Sequence, residues 1–590
     1  MPPAHSLRRL LAAFLVCLAS IAGAGCLGGG DDGKDAKKPP IGARGDFQLK
    51  KSLVPKGDSA AAEGAPESYV PEGEIVADSG FRPEVDGFAF ENYGNEGDPR
   101  NLGPAEMEAL FGDQVCLSGT GDDCQLIPTA QEWMDNQNEG MAGGHCEGFS
   151  IAALRMFSEA LDQEDFGGDT TAGLDIVGND ALQGSIAEHF VYQVLPPIVE
   201  NRVSGTPSEV LDKLTEALDS GEEQYTLGVY KADGTAGHAI TPFAIEDKGD
   251  GQFAILVYDN NFPGLTRAVE VDTNDDSWSY VSGTNPDDLG QVYQGDADTQ
   301  TLELDPTTPG EEQQPCPFCD ETAGDGGEET KGSLLPKDER YTEITLSGDP
   351  RNHPHLVFED DDGNRTGIVD GRMLSEIEDV EVVKTFATQN WEGGPEPRYR
   401  LPEGADYTIS VDGTDLDAPA KIDIDLVGSG LVIEIEDVKI APGQTDAMAL
   451  PGGYGITYGT DSKEEEAPNL YASLVEDDYA YTFAATAVGI KRGSTLSLVV
   501  EQENKVAYID STGGKGADGG TGVYILNLTR ADAEGNIAQW QNGEVMLDGS
   551  KDEKAGFEYD ESPEPGKPLP LVLLDANGDP TDTIEMQPQK

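Results

Sequence analysis

Cys146 is the residue of this chain whose type and setting best suit covalent chemistry. It lies in Gly143-Gly144-His145-Cys146-Glu147-Gly148-Phe149-Ser150. Of the seven cysteines, Cys17 falls inside an N-terminal apolar run and Cys26 closes that run. Cys116 and Cys124 are near neighbours, and Cys316 and Cys319 form a Cys-x-x-Cys; each couple is expected to close a local disulfide. Cys146 is left over, and in an exported chain thiols normally pair. An unpaired thiol there suggests a nucleophile. The thiolate is the reactive form, and a helix N-terminus or a nearby imidazolium favours it. The apolar period Phe149, Ala153, Met156, Phe157, Ala160 predicts a helix over about 146–161 that starts at the cysteine. Its first turn would offer free N–H groups and the positive end of the helix dipole.

The element that must bring a base is a hairpin far downstream. Residues 237–246 and 253–258 read as strands joined by Asp247-Lys248-Gly249-Asp250-Gly251. A turn centred on Gly249 sets His238 opposite Asn260, or opposite Asp259 after a one-residue adjustment. Facing side chains on one sheet face are close enough for an imidazole to bond an acid or an amide. Asp259 is the favoured orienter, because it would fix the tautomer and stabilise the imidazolium. Asn260 is the alternative.

The ordered set Gly144-His145-Cys146-Glu147-Gly148-Phe149-Ser150, then Gly237-His238-Ala239, then Val257-Tyr258-Asp259-Asn260-Asn261-Phe262-Pro263-Gly264 resembles the papain-like cysteine peptidase superfamily, including its bacteriocin-processing branch. The resemblance covers residues 81–300. It implies an α+β peptidase domain with Cys146 as nucleophile, His238 as general base and Asp259 as orienter. Such enzymes usually carry an oxyanion glutamine about six residues before the nucleophile. That position is Gly140 here, and Gln137 and Asn138 are the nearby amides. The resemblance implies hydrolysis of a peptide or surface-protein substrate with no cofactor. A non-catalytic adhesin that keeps the fold for binding, and acyl transfer of transglutaminase type, would use the same residues.

Other groupings are weaker. His353 and His355 are two apart beside Pro354, and two ligands alone hold a metal poorly, so no metal site is expected. Asp362-Gly363-Asn364-Arg365-Thr366-Gly367 lacks the glutamate that completes a calcium loop and reads as a turn.

Arg8 and Arg9, the apolar run 10–22 and the small residues 22–25 before Cys26 resemble the lipobox of prokaryotic lipoproteins. This implies export, acylation of Cys26 and anchoring to the outer face of a membrane. Residues 27–80 read as a disordered tether and 301–338 as a linker. The formal charge of −74 excludes nucleic-acid binding. Residues 81–300 show helices first and strands second, which predicts an α+β domain. Beyond 338, short β-rich runs punctuated by Gly, Asp, Asn and Pro predict one or two Ig-like β-sandwich domains, with a boundary near 463–470. Val380–Phe386 is one of those predicted strands.

Overall fold

The computed structural model describes residues 67–589 apart from several stretches, the longest being 282–291, 321–333, 387–395 and 514–520. The leader, Cys26 and most of the tether lie outside the described residues.

The first unit places helices before an antiparallel sheet. Its helices Pro83–Asp86, Pro104–Phe111, Pro128–Gly140, Pro196–Asn201 and Pro207–Ser220 all begin with proline, which suits the first turn because no partner is lost for its missing N–H. The last of these also has a capping box between Thr206 and Glu209 and ends at left-handed Gly221. Its Val210, Leu211 and Leu214 are buried with Leu227, Ile240 and Ile255 of the sheet. The Cys146 helix, Cys146–Phe157, packs beside Asp180–Phe190. It ends four residues earlier than the apolar period predicts, and Ala160 lies beyond it.

The sheet runs Val292–Asp296, Ser277–Val281, Thr266–Asp272, Gln252–Tyr258, His238–Gly249, Tyr225–Val229, Leu302–Pro306 and Val203–Ser204, every pair antiparallel. The long His238 strand pairs Tyr225–Val229 through its first residues and Glu74–Asp78 through its last. Pro242 falls where one partner gives way to the other, a place that tolerates its missing donor.

Three expectations are corrected here. The ordered chain begins ahead of residue 81: Glu74–Asp78 is a strand, and the Tyr69 hydroxyl donates to Glu246 at 2.6 Å. The segment from 301 is no linker at its start. Leu302–Pro306 lies inside the sheet, with Leu302 and Leu304 in the core and Glu303 and Asp305 buried on its other face. The acids there sit against Arg202, whose guanidinium donates to Asp305 at 2.9 Å, so a core strand looks polar in sequence. Cys316-Pro317-Phe318-Cys319 is likewise buried. Phe318 packs against Phe111 and Trp133 with ring centroids 5.1 and 5.5 Å apart. Both expected disulfides are present, Cys116–Cys124 and Cys316–Cys319, and among the described residues Cys146 is the free thiol.

The second unit is a pair of antiparallel layers. Strands enter them mostly in alternating couples. Tyr341–Ser347, Arg398–Pro402, Ala420–Gly428, Leu431–Ile440, Asn469–Glu476 and Tyr479–Thr486 belong to one layer. His355–Glu359, Thr408–Asp412, Thr445–Ala449, Gly455–Gly459, Ser494–Glu501 and Val506–Gly513 belong to the other. The last strand, Pro580–Pro588, pairs with both. The expected boundary near 463–470 is crossed by pairing in each layer: Leu431–Ile440 with Asn469–Glu476, and Gly455–Gly459 with Ser494–Glu501. One apolar core runs from Ile344 to Met586. Glu466, at the end of the charged run, makes an isolated bridge with Ile490.

The two units share an interface. Val383, Val427 and Val432 of the β layers join the cluster that holds Trp133, Phe318 and Val194. Glu343 lies between Arg398 at 3.0 Å and Arg400 at 3.1 Å. The two guanidiniums then donate across the interface to the carbonyls of Asn136 and Val194.

Candidate functional site

Cys146 is the first residue of its helix, after Gly144 in a left-handed conformation (φ 127°). His145 points away from the sulfur. Its ring nitrogens meet the Tyr93 carbonyl at 2.6 Å and Asn101 at 3.0 Å, and burial lowers its pKa to about 4, so it is a neutral structural residue. The backbone amides of Ala239 and Glu147 favour the Cys146 thiolate, against the larger effect of burial.

His238 opens the strand next to that sulfur, one residue before Ala239. Its Nε2 lies 2.9 Å from Asp259 Oδ1. A carboxylate can only accept, so Nε2 carries the proton. That leaves His238 Nδ1 as the basic nitrogen, and it is buried without a hydrogen-bond partner among the described residues. Asp259 also accepts from the Asn261 amide at 2.9 Å and from the Tyr280 hydroxyl at 2.6 Å. The expected register differs from the observed one. Thr241 faces Tyr258 and Ala244 faces Leu256, so extrapolation would place His238 against Asn261. Asp259 reaches the imidazole because the strand stops at Tyr258 and the chain turns, with the Phe262 amide bonded to the Asp259 carbonyl.

Asn260 is not an orienter. Its Nδ2 donates to the Cys146 carbonyl at 3.0 Å, the Ala239 carbonyl at 3.0 Å and Ser150 Oγ at 3.3 Å. It ties the start of the Cys146 helix to the strand that carries His238. Asn138 is no oxyanion donor either, since its amide is spent on both backbone groups of Leu102. Gln137 is buried, and its Nε2 has no hydrogen-bond partner among the described residues.

Two features escaped the sequence. The first is a buried acid network behind the thiol. Glu147 accepts from Thr226 at 3.0 Å, and burial, with the charge of Asp305 adding to it, holds its carboxyl well above the usual range. Glu303 accepts from the Tyr230 hydroxyl at 2.6 Å, and Arg202 pairs with both Glu303 and Asp305. The second is Phe386. Only Glu381–Val383 of the strand expected over 380–386 joins the sheet; Phe386 instead covers Cys146. The thiol donates to the Phe386 carbonyl at 3.7 Å, and the Phe386 amide donates to Gln193 Oε1 at 2.6 Å. Its ring stacks on Tyr230 at 5.3 Å over Gly228, where an added Cβ would lie 2.7 Å from the ring. With both main-chain groups of Phe386 engaged, Cys146 is 0% exposed, and burial raises its thiol pKa despite the Ala239 amide. Local sequence carries no sign of this contact, which joins residues 240 positions apart.

The arrangement has the parts of a thiol nucleophile with a tautomer-fixed base, closed over by an aromatic residue of the second unit. Comparison with family models, with curated proteins and with solved structures finds no match to this chain.

Proposed function

We propose that the first unit is a papain-like cysteine hydrolase that cleaves a peptide or related amide through an acyl-enzyme on Cys146. The observation that carries this reading is the His238–Asp259 pair beside a helix-start cysteine, with His238 Nδ1 left free to take a proton. His238 would accept the thiol proton and later return it to the leaving amine. Asp259 would stabilise the imidazolium. Asn260 is a positioning residue. The layered β unit, read as an Ig-like surface module, would then present the hydrolase from a lipid anchor at Cys26.

The full burial of Cys146 under Phe386 favours a second reading, a binding protein that keeps the fold without turnover. Iodoacetamide labelling of the full chain separates the two. For the hydrolase, Phe386→Gly labels quickly at neutral pH, and adding His238→Ala slows it at least tenfold. Slow labelling of Phe386→Gly, unchanged by His238→Ala, would sink the hydrolase reading. The seat of the Phe386 ring over Gly228 and Tyr230 also supports an aromatic preference, to be read from peptide libraries with the opened variant.

A further inference from the structure

His353 and His355 stand apart from the candidate hydrolase site, and the fold supplies them with a third residue that the sequence does not suggest. Glu396 precedes the strand Arg398–Pro402 and is buried against the start of His355–Glu359. Its Oε1 is anchored by the Leu356 amide and the Tyr399 hydroxyl, each at 2.9 Å. That leaves Oε2 presented to two imidazoles. Oε2 lies 2.8 Å from His355 Nδ1 and 3.8 Å from His353 Nδ1. The rings meet edge to face, with centroids 5.3 Å apart. One ligand atom from each of the three residues lies within 4.8 Å of the other two.

We infer that His353, His355 and Glu396 form a zinc-binding site. Tetrahedral zinc with bonds near 2.1 Å holds its ligands about 3.4 Å apart, and the observed 2.8 and 3.8 Å separations bracket that spacing. Two imidazoles and one carboxylate suit zinc, whereas calcium and magnesium favour oxygen alone. Oε1 is already held by a backbone amide and a tyrosine, the kind of outer support that orients a metal ligand. Asp412, opposite His355 on the neighbouring strand, adds negative charge. On binding through Nδ1, the protons that His355 directs at Glu396 and His353 at the Pro354 carbonyl would move to Nε2 of each ring, leaving both imidazoles neutral. Three protein ligands leave a fourth position for water. The ion would link the His355 strand of one layer to the lead-in of the Arg398 strand in the other.

The test is zinc chloride titrated into the full chain under excess magnesium, which occupies the many surface carboxylates. The site predicts one tight zinc equivalent per chain. It also predicts a tetrahedral visible spectrum when cobalt replaces zinc, and a zinc-dependent rise in Tm. His355→Gln and Glu396→Gln should each weaken that equivalent at least tenfold. If Glu396→Gln does not fold, His353→Gln carries the test, since His353 lies ahead of the strand His355–Glu359 and outside the sheet. Absence of the tight equivalent from the wild type, or its full retention in His355→Gln and His353→Gln, overturns the assignment.

Discussion

Asp259 receives three hydrogen bonds in a buried pocket, from His238, the Asn261 amide and the Tyr280 hydroxyl. An amide in its place could turn its NH₂ toward His238 Nε2 and stabilise the other tautomer, putting the proton on the nitrogen that must accept one. Asp259→Asn is therefore expected to lower turnover by the Phe386→Gly protein by about 10⁴-fold, with KM little changed. A comparable fall from Asn261→Ala alone would mean that the turn, not the carboxylate, is what matters. His238 and Asp259 were both legible in sequence, because a hairpin of alternating apolar residues with one Gly-rich turn restricts which residues can meet. The register itself was not legible. Bulges near Phe243 and Lys248 shift it, and only the turn after Tyr258 brings Asp259 to the imidazole.

At the scale of elements, the Cys146 helix is held against Asp180–Phe190 by a contact that only glycine allows. A Cβ at Gly148 would lie 2.0 Å from the Ile186 carbonyl oxygen, which is backbone and cannot swing aside. Gly148→Ala should destabilise the protein by about 1–3 kcal/mol, measured by denaturant unfolding. An unchanged midpoint would show that the two helices part freely. The neighbouring helix also carries Glu188. Burial, with Glu106 adding to it, raises its pKa to about 7 from 4.5. A carboxyl raised in the folded state binds more protons there than when unfolded. Its effect on stability is therefore absent below pH 4.5 and becomes unfavourable as pH rises to 7. Glu188→Gln is expected to stabilise the protein at pH 8 by about 2 kcal/mol, somewhat less than the full linkage because the group is only partly buried. It should have little effect at pH 4.5. Equal gains at both pH values would assign the change to something other than ionisation.

Across the whole molecule, the two units are joined by buried charge as well as by apolar contact. Glu343 pairs with both Arg398 and Arg400, which in turn bond the helical unit's carbonyls. Glu343→Gln would leave two buried guanidiniums without their shared counter-charge, and a loss of about 3–5 kcal/mol is expected. If the interface supports Phe386, Cys146 should also alkylate faster in this variant. A loss of stability with no change in labelling would show that Phe386 is held by its own contacts with Tyr230 and Gln193.

Much of this was determined by the sequence alone. The helix starts follow from proline and capping residues. The disulfides follow from cysteines too close in sequence to have other partners. The all-β second half follows from alternation and turn residues, and the free thiol from counting. These are local properties, set by a few neighbouring residues. What only the tertiary structure decided is non-local. Leu302–Pro306 is a core strand because Arg202 offsets its acids. The layers continue on both sides of 463–470 because pairing joins strands from before and after it. Glu396 joins His353 and His355, and Phe386 reaches Cys146, because close packing of the two layers and the two units brings together residues that no local rule connects.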